Sequence, residues 1–134
     1  SPVKTYLLGT PQELLLLLQG PRMFFGAGWL IESTLGVMPP YFGIADGITH
    51  ITAGFLAMKA AILYARGENN RSGIWIANIF GLLDIVVVAS GISFVMLHQD
   101  ITPYHNVMYA VFFAAPLFIG LHFVSMLKLI QDKK

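Results

Sequence analysis

Residues 73–97 read GIWIANIFGLLDIVVVASGISFVML, a stretch in which Asp84 is the one charged side chain. A helix needs about 20 predominantly apolar residues to cross the roughly 30 Å hydrocarbon layer of a bilayer. The stretch meets that length, so it predicts a membrane-spanning helix.

The composition of the whole chain agrees with a membrane protein. Of its 134 residues 56% are hydrophobic and 11% are charged, whereas about a quarter of the residues of a soluble domain are charged. A net charge of +1 provides no basic surface for nucleic acid, so no nucleic-acid partner is expected. The absence of cysteine excludes a disulfide framework, a thiolate metal site and a cysteine nucleophile.

Apolar stretches of similar length follow one another between charged or proline-rich segments. Short loops make sequential helices antiparallel neighbours, so we expect an all-α fold, an integral membrane up-down four-helix bundle. The Gly43-x-x-x-Gly47 pattern in the second stretch suits close helix packing. The predicted single transmembrane domain covers residues 1–134, with spans over residues 21–38, 43–65, 73–97 and 103–130.

A leucine-rich segment precedes the first predicted span. The spacing from Thr10 to Glu13 predicts a capping box at the start of a helix that includes Leu14 to Leu18. The helix is too short to span a membrane, and Gly20-Pro21 interrupts the apolar run. We therefore interpret it as a short N-terminal interfacial helix, with an extension of the first span as the alternative.

The charges near the span ends predict the orientation, because Lys and Arg concentrate on the cytoplasmic side of a membrane. The opposite loops contain Asp100 and no Lys or Arg. We expect a bacterial cytoplasmic membrane protein with both termini cytoplasmic, in contact with the lipid bilayer and open to a homo-oligomer or a larger membrane complex. The side of the termini collects Lys4, Arg66, Arg71, Lys128, Lys133 and Lys134, with Arg22 near the start of the first span.

Ionisable side chains inside the predicted spans form the candidate site. Each costs about 2.5–3.5 kcal/mol at the bilayer centre, so it is a candidate functional group. Asp46 and His50 lie one turn apart on one face of the second span, and Glu32 and Asp84 reach similar depths. We predict that Glu32, Asp46, His50 and Asp84 converge in the outer half of the bundle.

Three carboxylates and an imidazole at one depth suit a proton site or a metal site, with Asp46, His50 and Glu32 as candidate metal ligands. A divalent metal is therefore a candidate cofactor. Haem is not favoured, because His50 and His122 are predicted about 10 Å apart in depth. A polar network that only holds the helices in register is the structural alternative.

Two short motifs occur in the third and fourth spans. One is Asn78-x-x-Gly81-x-x-Asp84, and the other is Pro116 followed six residues later by His122. With these motifs the chain resembles a group of small uncharacterised bacterial four-span membrane proteins. The resemblance adds Asn78 and His122 as secondary candidates for ligand or proton binding.

In the same group the first span pairs an arginine with a glutamate, so the resemblance implies a pair between Arg22 and Glu32. It implies no activity, and no catalytic residue is assigned. One function that the sequence supports is a cluster that binds a cation, a proton or a small apolar ligand, and an intramembrane enzyme would use the same residues. The other is a non-catalytic accessory subunit of a larger membrane complex.

Overall fold

The computed structural model describes residues 2–68, 70–98 and 109–132, and every regular element in these ranges is helical. The prediction of an all-helical chain with long apolar helices is therefore confirmed. The segments long and apolar enough to cross a membrane are Gln12–Thr34, Pro40–Ala65, Arg71–Val88 and Ala110–Gln131. The helices are α1 (Pro2–Gly9), α2 (Gln12–Leu17), α3 (Arg22–Thr34), α4 (Pro40–Ala65), α5 (Arg71–His98) and, after a π-helical turn (Ala110–Ala114), α6 (Ala115–Gln131).

The first apolar segment differs from the prediction. The leucine-rich helix α2 and helix α3 together form the apolar segment Gln12–Thr34, which agrees with the alternative interpretation of α2 as an extension of the first span. Pro21 interrupts the α-helical ladder, yet tight bonds from Gly20 N–H to Leu17 O and from Arg22 N–H to Gln19 O carry the chain through the break. The first candidate span thus begins at Gln12, nine residues before the predicted start at Pro21.

The predicted capping box is absent. Helix α2 begins at Gln12 with no side-chain cap. The hydroxyl of Thr10 donates instead to the carbonyl of Tyr6, in α1. Thr10 therefore closes the end of α1 and does not start α2.

Glycines bring α3 and α4 into close antiparallel contact. A Cβ atom on Gly26 or on Gly47 would collide with the backbone oxygen of the other. Further along the same seam, a Cβ on Gly54 would meet Met23 and the carbonyl of Gly20. The close approach leaves little room between the two helices, so the side chains that flank the seam are held rigidly.

A π-helical turn precedes α6. Ala115 N–H donates to the carbonyl of Ala110, an i→i+5 bond. The ring of Pro116 has no N–H to offer the carbonyl of Phe112, so the regular α-helical ladder fails at this point. The turn places two small side chains, Ala110 and Ala114, next to α3.

The apolar core is divided into two clusters. One contains Leu16, Ala57 and Ile74, and the other contains Trp29 and Val88. His50 and Asp84 lie between these clusters along α4 and α5. The interior between the clusters is polar.

Candidate functional site

A fully buried arginine on α3 organises this polar interior. Nη2 of Arg22 donates to Oδ2 of Asp84 over 2.5 Å. Nη1 lies 2.9 Å from the carbonyl oxygen of Gly81 and 3.0 Å from Nε2 of His122. A buried guanidinium needs such partners, because desolvating a charge without them is costly.

The sequence prediction placed Arg22 at the cytoplasmic end of the first span. Because the candidate span begins at Gln12, Arg22 lies about 15 Å into that segment at 1.5 Å per residue. Arg22 pairs with Asp84 on α5, whereas the resemblance implied a pair with Glu32.

His50 lies on the other side of Asp84. Its Nδ1 is 2.8 Å from Oδ2 of Asp84 and 3.5 Å from Oδ1 of Asp46. All three side chains are buried, and one ligand-type atom from each lies within 4.8 Å of the others. We call Asp46, His50 and Asp84 the acid cluster; the structure thus brings together three of the four residues predicted to converge.

The fourth predicted residue, Glu32, lies outside the acid cluster as the described residues define it. Helix α3 ends at Thr34, so Glu32 is only about 3 Å of helical rise from that end. The predicted span continued to Met38, so Glu32 was expected deeper in the bundle than it lies. Arg22, and not Glu32, reaches Asp84 from α3, and Asp84 lies beside Asp46 and His50 as predicted.

A second set of polar side chains extends from Arg22 toward α2. Nδ1 of His122 is 3.0 Å from Oδ1 of Asn78. The hydroxyl oxygen of Ser125 accepts from Nδ2 of Asn78 at 2.8 Å and from Nε2 of Gln12 at 2.5 Å. We call Gln12, Asn78, His122 and Ser125 the amide network; all four side chains are buried.

The donors and acceptors fix the tautomer of His122. Arginine can only donate, so Nε2 of His122 accepts from Arg22 and Nδ1 carries the hydrogen that it donates to Asn78. Both ring nitrogens are therefore engaged, and neither is available to ligate haem iron.

Gly81 makes room for these contacts. A Cβ atom at this position would collide with the ring of His122 and with Nη1 of Arg22. The pattern Asn78-x-x-Gly81-x-x-Asp84 is thus one face of α5, on which each position contacts Arg22 or His122.

Sequence reasoning missed Arg22, Gly81 and the two polar residues Gln12 and Ser125 as parts of the site. A signal for the first helix was present. Gln12, Gln19 and Arg22 are spaced by seven and three residues, which places them on one helical face. The assumed break at Pro21 concealed that face.

Arg22 also determines which cation the acid cluster favours binding. Its Nη2 is 2.5 Å from Oδ2 of Asp84, and Nδ1 of His50 is 2.8 Å from the same oxygen. A divalent metal held by that oxygen would be within a few ångströms of a permanent positive charge, which repels it strongly in a low-dielectric interior. The arrangement favours a proton over a metal ion.

Comparison with known proteins gives a family. Residues 7–130 match the family described as Domain of unknown function (DUF8737). The chain belongs to this family. The match includes every residue of the acid cluster and of the amide network. No curated protein and no solved structure matches the chain.

Proposed function

We propose that this member of the DUF8737 family is a small protein of the bacterial cytoplasmic membrane, with both termini cytoplasmic, whose acid cluster binds one exchangeable proton. The observation that supports the proposal is an imbalance of charge. Two buried carboxylates, Asp46 and Asp84, surround His50, while Arg22 supplies one permanent cation.

The charge count predicts a single proton. Arg22 neutralises Asp84 at 2.5 Å, which leaves Asp46 and His50 to share whatever charge remains. With no added proton this pair carries a net charge of −1, and with one proton it is neutral or an internal ion pair. Burying an uncompensated charge is costly, so the cluster is expected to take up one proton.

Asp46 is the carboxylate that a bound proton would stabilise. Its Oδ2 atom is buried and has no hydrogen-bond partner among the described residues. A buried carboxylate oxygen without a donor is destabilised, and a proton removes that cost. Asp46 and His50 are thus the two places between which the proton is shared.

Trp29 provides a direct readout. Its ring centroid lies 4.4 Å from that of His50, and a protonated imidazole in contact with an indole quenches its fluorescence. The chain contains two tryptophans, so Trp75→Phe isolates Trp29. We expect the Trp29 fluorescence of this variant in detergent to fall as the pH is lowered through a single one-proton transition between about pH 5 and 8.

Variants assign the transition to the cluster. His50→Gln in the Trp75→Phe background should remove the transition, and Asp46→Asn should shift or remove it. His98→Gln is the matched control, because His98 is exposed and stacks on Phe94 at the far end of α5. An accessory subunit whose acids only lock the fold predicts a flat profile in the parent, and that result would overturn the proposal.

A further inference from the structure

We infer that His50 also binds a neutral, lipid-soluble ring compound that carries a hydroxyl group, of the phenol or quinol class, and that this ligand enters between α3 and the π-helical turn. The inference rests on the proposed function, because the same imidazole holds the proton and faces the ligand. The ring compound is the ligand that we infer the proton site serves.

The ligand site is a cavity beside His50. Among the described residues of its wall, His50 and Trp29 carry hydrogen-bonding groups; the indole N–H of Trp29 can only donate, so His50 is the one side chain that can accept. Trp29 from α3 and Val88 from α5 close the inner side. The remaining wall is apolar and includes Phe25, Ala110, Ala114 and Phe118.

The size of the cavity restricts what it can hold. Its volume is about 30 Å³. About 10–15 Å³ is enough for one water-sized group, whereas a benzene ring occupies a cavity of about 150 Å³. The cavity therefore accepts a small group such as a hydroxyl and not a whole ring.

The body of the ligand is accommodated outside the cavity. An apolar groove of about 530 Å³ adjoins it and shares Phe25, Ala114 and Phe118 with its wall. The rings of Phe25 and Phe118 meet edge to face, with centroids 6.4 Å apart, where the groove and the cavity join. Aromatic walls favour a flat ring over a flexible chain, so a ring fits this position.

The chemistry of His50 selects the polar group. Nδ1 lies 2.8 Å from Oδ2 of Asp84 and 3.5 Å from Oδ1 of Asp46, so in the neutral ring we place the hydrogen on Nδ1, which leaves Nε2 as the acceptor. A ligand hydroxyl supplies the donor that Nε2 requires. A carboxylate ligand is disfavoured, because two acids already face the imidazole.

The charged or titratable groups around His50 come from every helix of the bundle. Asp46 is on α4 and Asp84 is on α5, while Arg22 on α3 lies behind Asp84 and His122 on α6 lies behind Arg22. Glu32, at the end of α3, is outside this group. None of them contributes to the described wall of the cavity, so His50 is the one titratable group that the ligand meets there.

The test compares two probes of nearly the same shape. 4-Bromophenol and 4-bromotoluene differ by a hydroxyl in place of a methyl group, and the bromine of each quenches a tryptophan that it contacts. At pH 8, Trp29 in the Trp75→Phe variant should show saturable quenching by 4-bromophenol, at a half-saturating concentration at least about tenfold lower than for 4-bromotoluene. Equal and unsaturable quenching by both probes would overturn the ligand site.

A variant that blocks the entrance separates the ligand site from the proton site. Ala114→Phe places a ring where cavity and groove meet, so saturable quenching should weaken more than about tenfold while the pH transition of Trp29 persists. Ala27→Phe adds the same ring to an exposed position of α3 and should change neither. Undiminished saturable quenching in Ala114→Phe would contradict the proposed route.

Saturating 4-bromophenol should also move the pH transition. The hydroxyl donates to neutral His50, so the bound probe favours the unprotonated ring and the midpoint should fall to lower pH. An unchanged midpoint would show that the probe does not contact His50. A flat pH profile together with saturable quenching would overturn the proton site alone, which keeps the two failures distinguishable.

Discussion

The amide network and the acid cluster both contact Arg22, yet they differ in charge and in the balance of hydrogen-bond donors and acceptors. In the amide network, donors and acceptors alternate through Ser125, Asn78 and His122 at 2.8–3.0 Å, and the groups are uncharged. In the acid cluster, carboxylate oxygens outnumber the donors around His50. The amide network therefore fixes the geometry of its side chains, whereas the acid cluster leaves a place for a proton.

Arg22 keeps the two regions apart. It donates to His122 on one side and to Asp84 on the other, and a guanidinium does not lose its proton in a protein. A proton bound at His50 therefore cannot pass through Arg22 to His122. The acid cluster should exchange protons by a route that does not include the amide network.

Removing Arg22 should have the largest effect, because both regions depend on it. Arg22→Met leaves Asp84 buried without its cation, and we expect a loss of about 3–5 kcal/mol in the free energy of unfolding. The measurement is unfolding by SDS in mixed micelles. Arg66→Met, at an exposed arginine just after α4, is the control and should stay within about 0.5 kcal/mol of the parent.

The double variant Arg22→Met with Asp84→Asn sharpens this result. If the cost comes from the unpaired carboxylate, neutralising Asp84 should restore a large part of the lost stability. A double variant as unstable as Arg22→Met alone would show that Arg22 acts through packing.

A methyl group at the junction should have an intermediate effect. Gly81→Ala places a Cβ against His122 and Arg22, so we expect a loss of about 1–3 kcal/mol through overpacking. Gly120→Ala is the matched control on α6, since a Cβ there meets open space and should stabilise the helix by up to about 1 kcal/mol. Equal stability of the two variants would mean that α5 and α6 relax freely around Arg22.

The smallest effect should separate the two regions most clearly. Ser125→Ala removes the acceptor of Gln12 and Asn78 and should cost about 1 kcal/mol without altering the pH transition of Trp29. Asp46→Asn should cost less in stability, because its Oδ2 atom has no partner to lose among the described residues, yet it should change the transition. If Ser125→Ala changed the transition and Asp46→Asn left it unchanged, the assignment of the proton to the acid cluster would be wrong.

Much of the fold is predictable from the sequence, because the apolar length of a span is a local property. The second and third predicted spans lie within α4 and α5. The first candidate span begins at Gln12 and not at Pro21, because Gly20-Pro21 resembles a boundary in the sequence although hydrogen bonds that span three residues continue the helical segment across it.

The site was predictable only in part, for a related reason. Asp46 and His50 are one turn apart on the same helix, so their proximity follows from local geometry. The partners of Arg22 lie 59 to 100 residues away, and its depth depends on where the first span begins. The predicted span ended at Met38, whereas α3 ends at Thr34, which is why Glu32 was expected deeper in the bundle than it lies.

The pairing of Arg22 with Asp84 has a consequence for biosynthesis. Sixty-two residues separate the two positions, so at about 5–20 residues per second Asp84 is synthesised roughly 3–12 seconds after Arg22. During that interval the first span carries an arginine whose insertion costs about 2.5–3.5 kcal/mol. For the proposed membrane topology, stable insertion of the first span is therefore expected to wait for the third, which would make the inserting unit a pair of helices that are not consecutive in the chain.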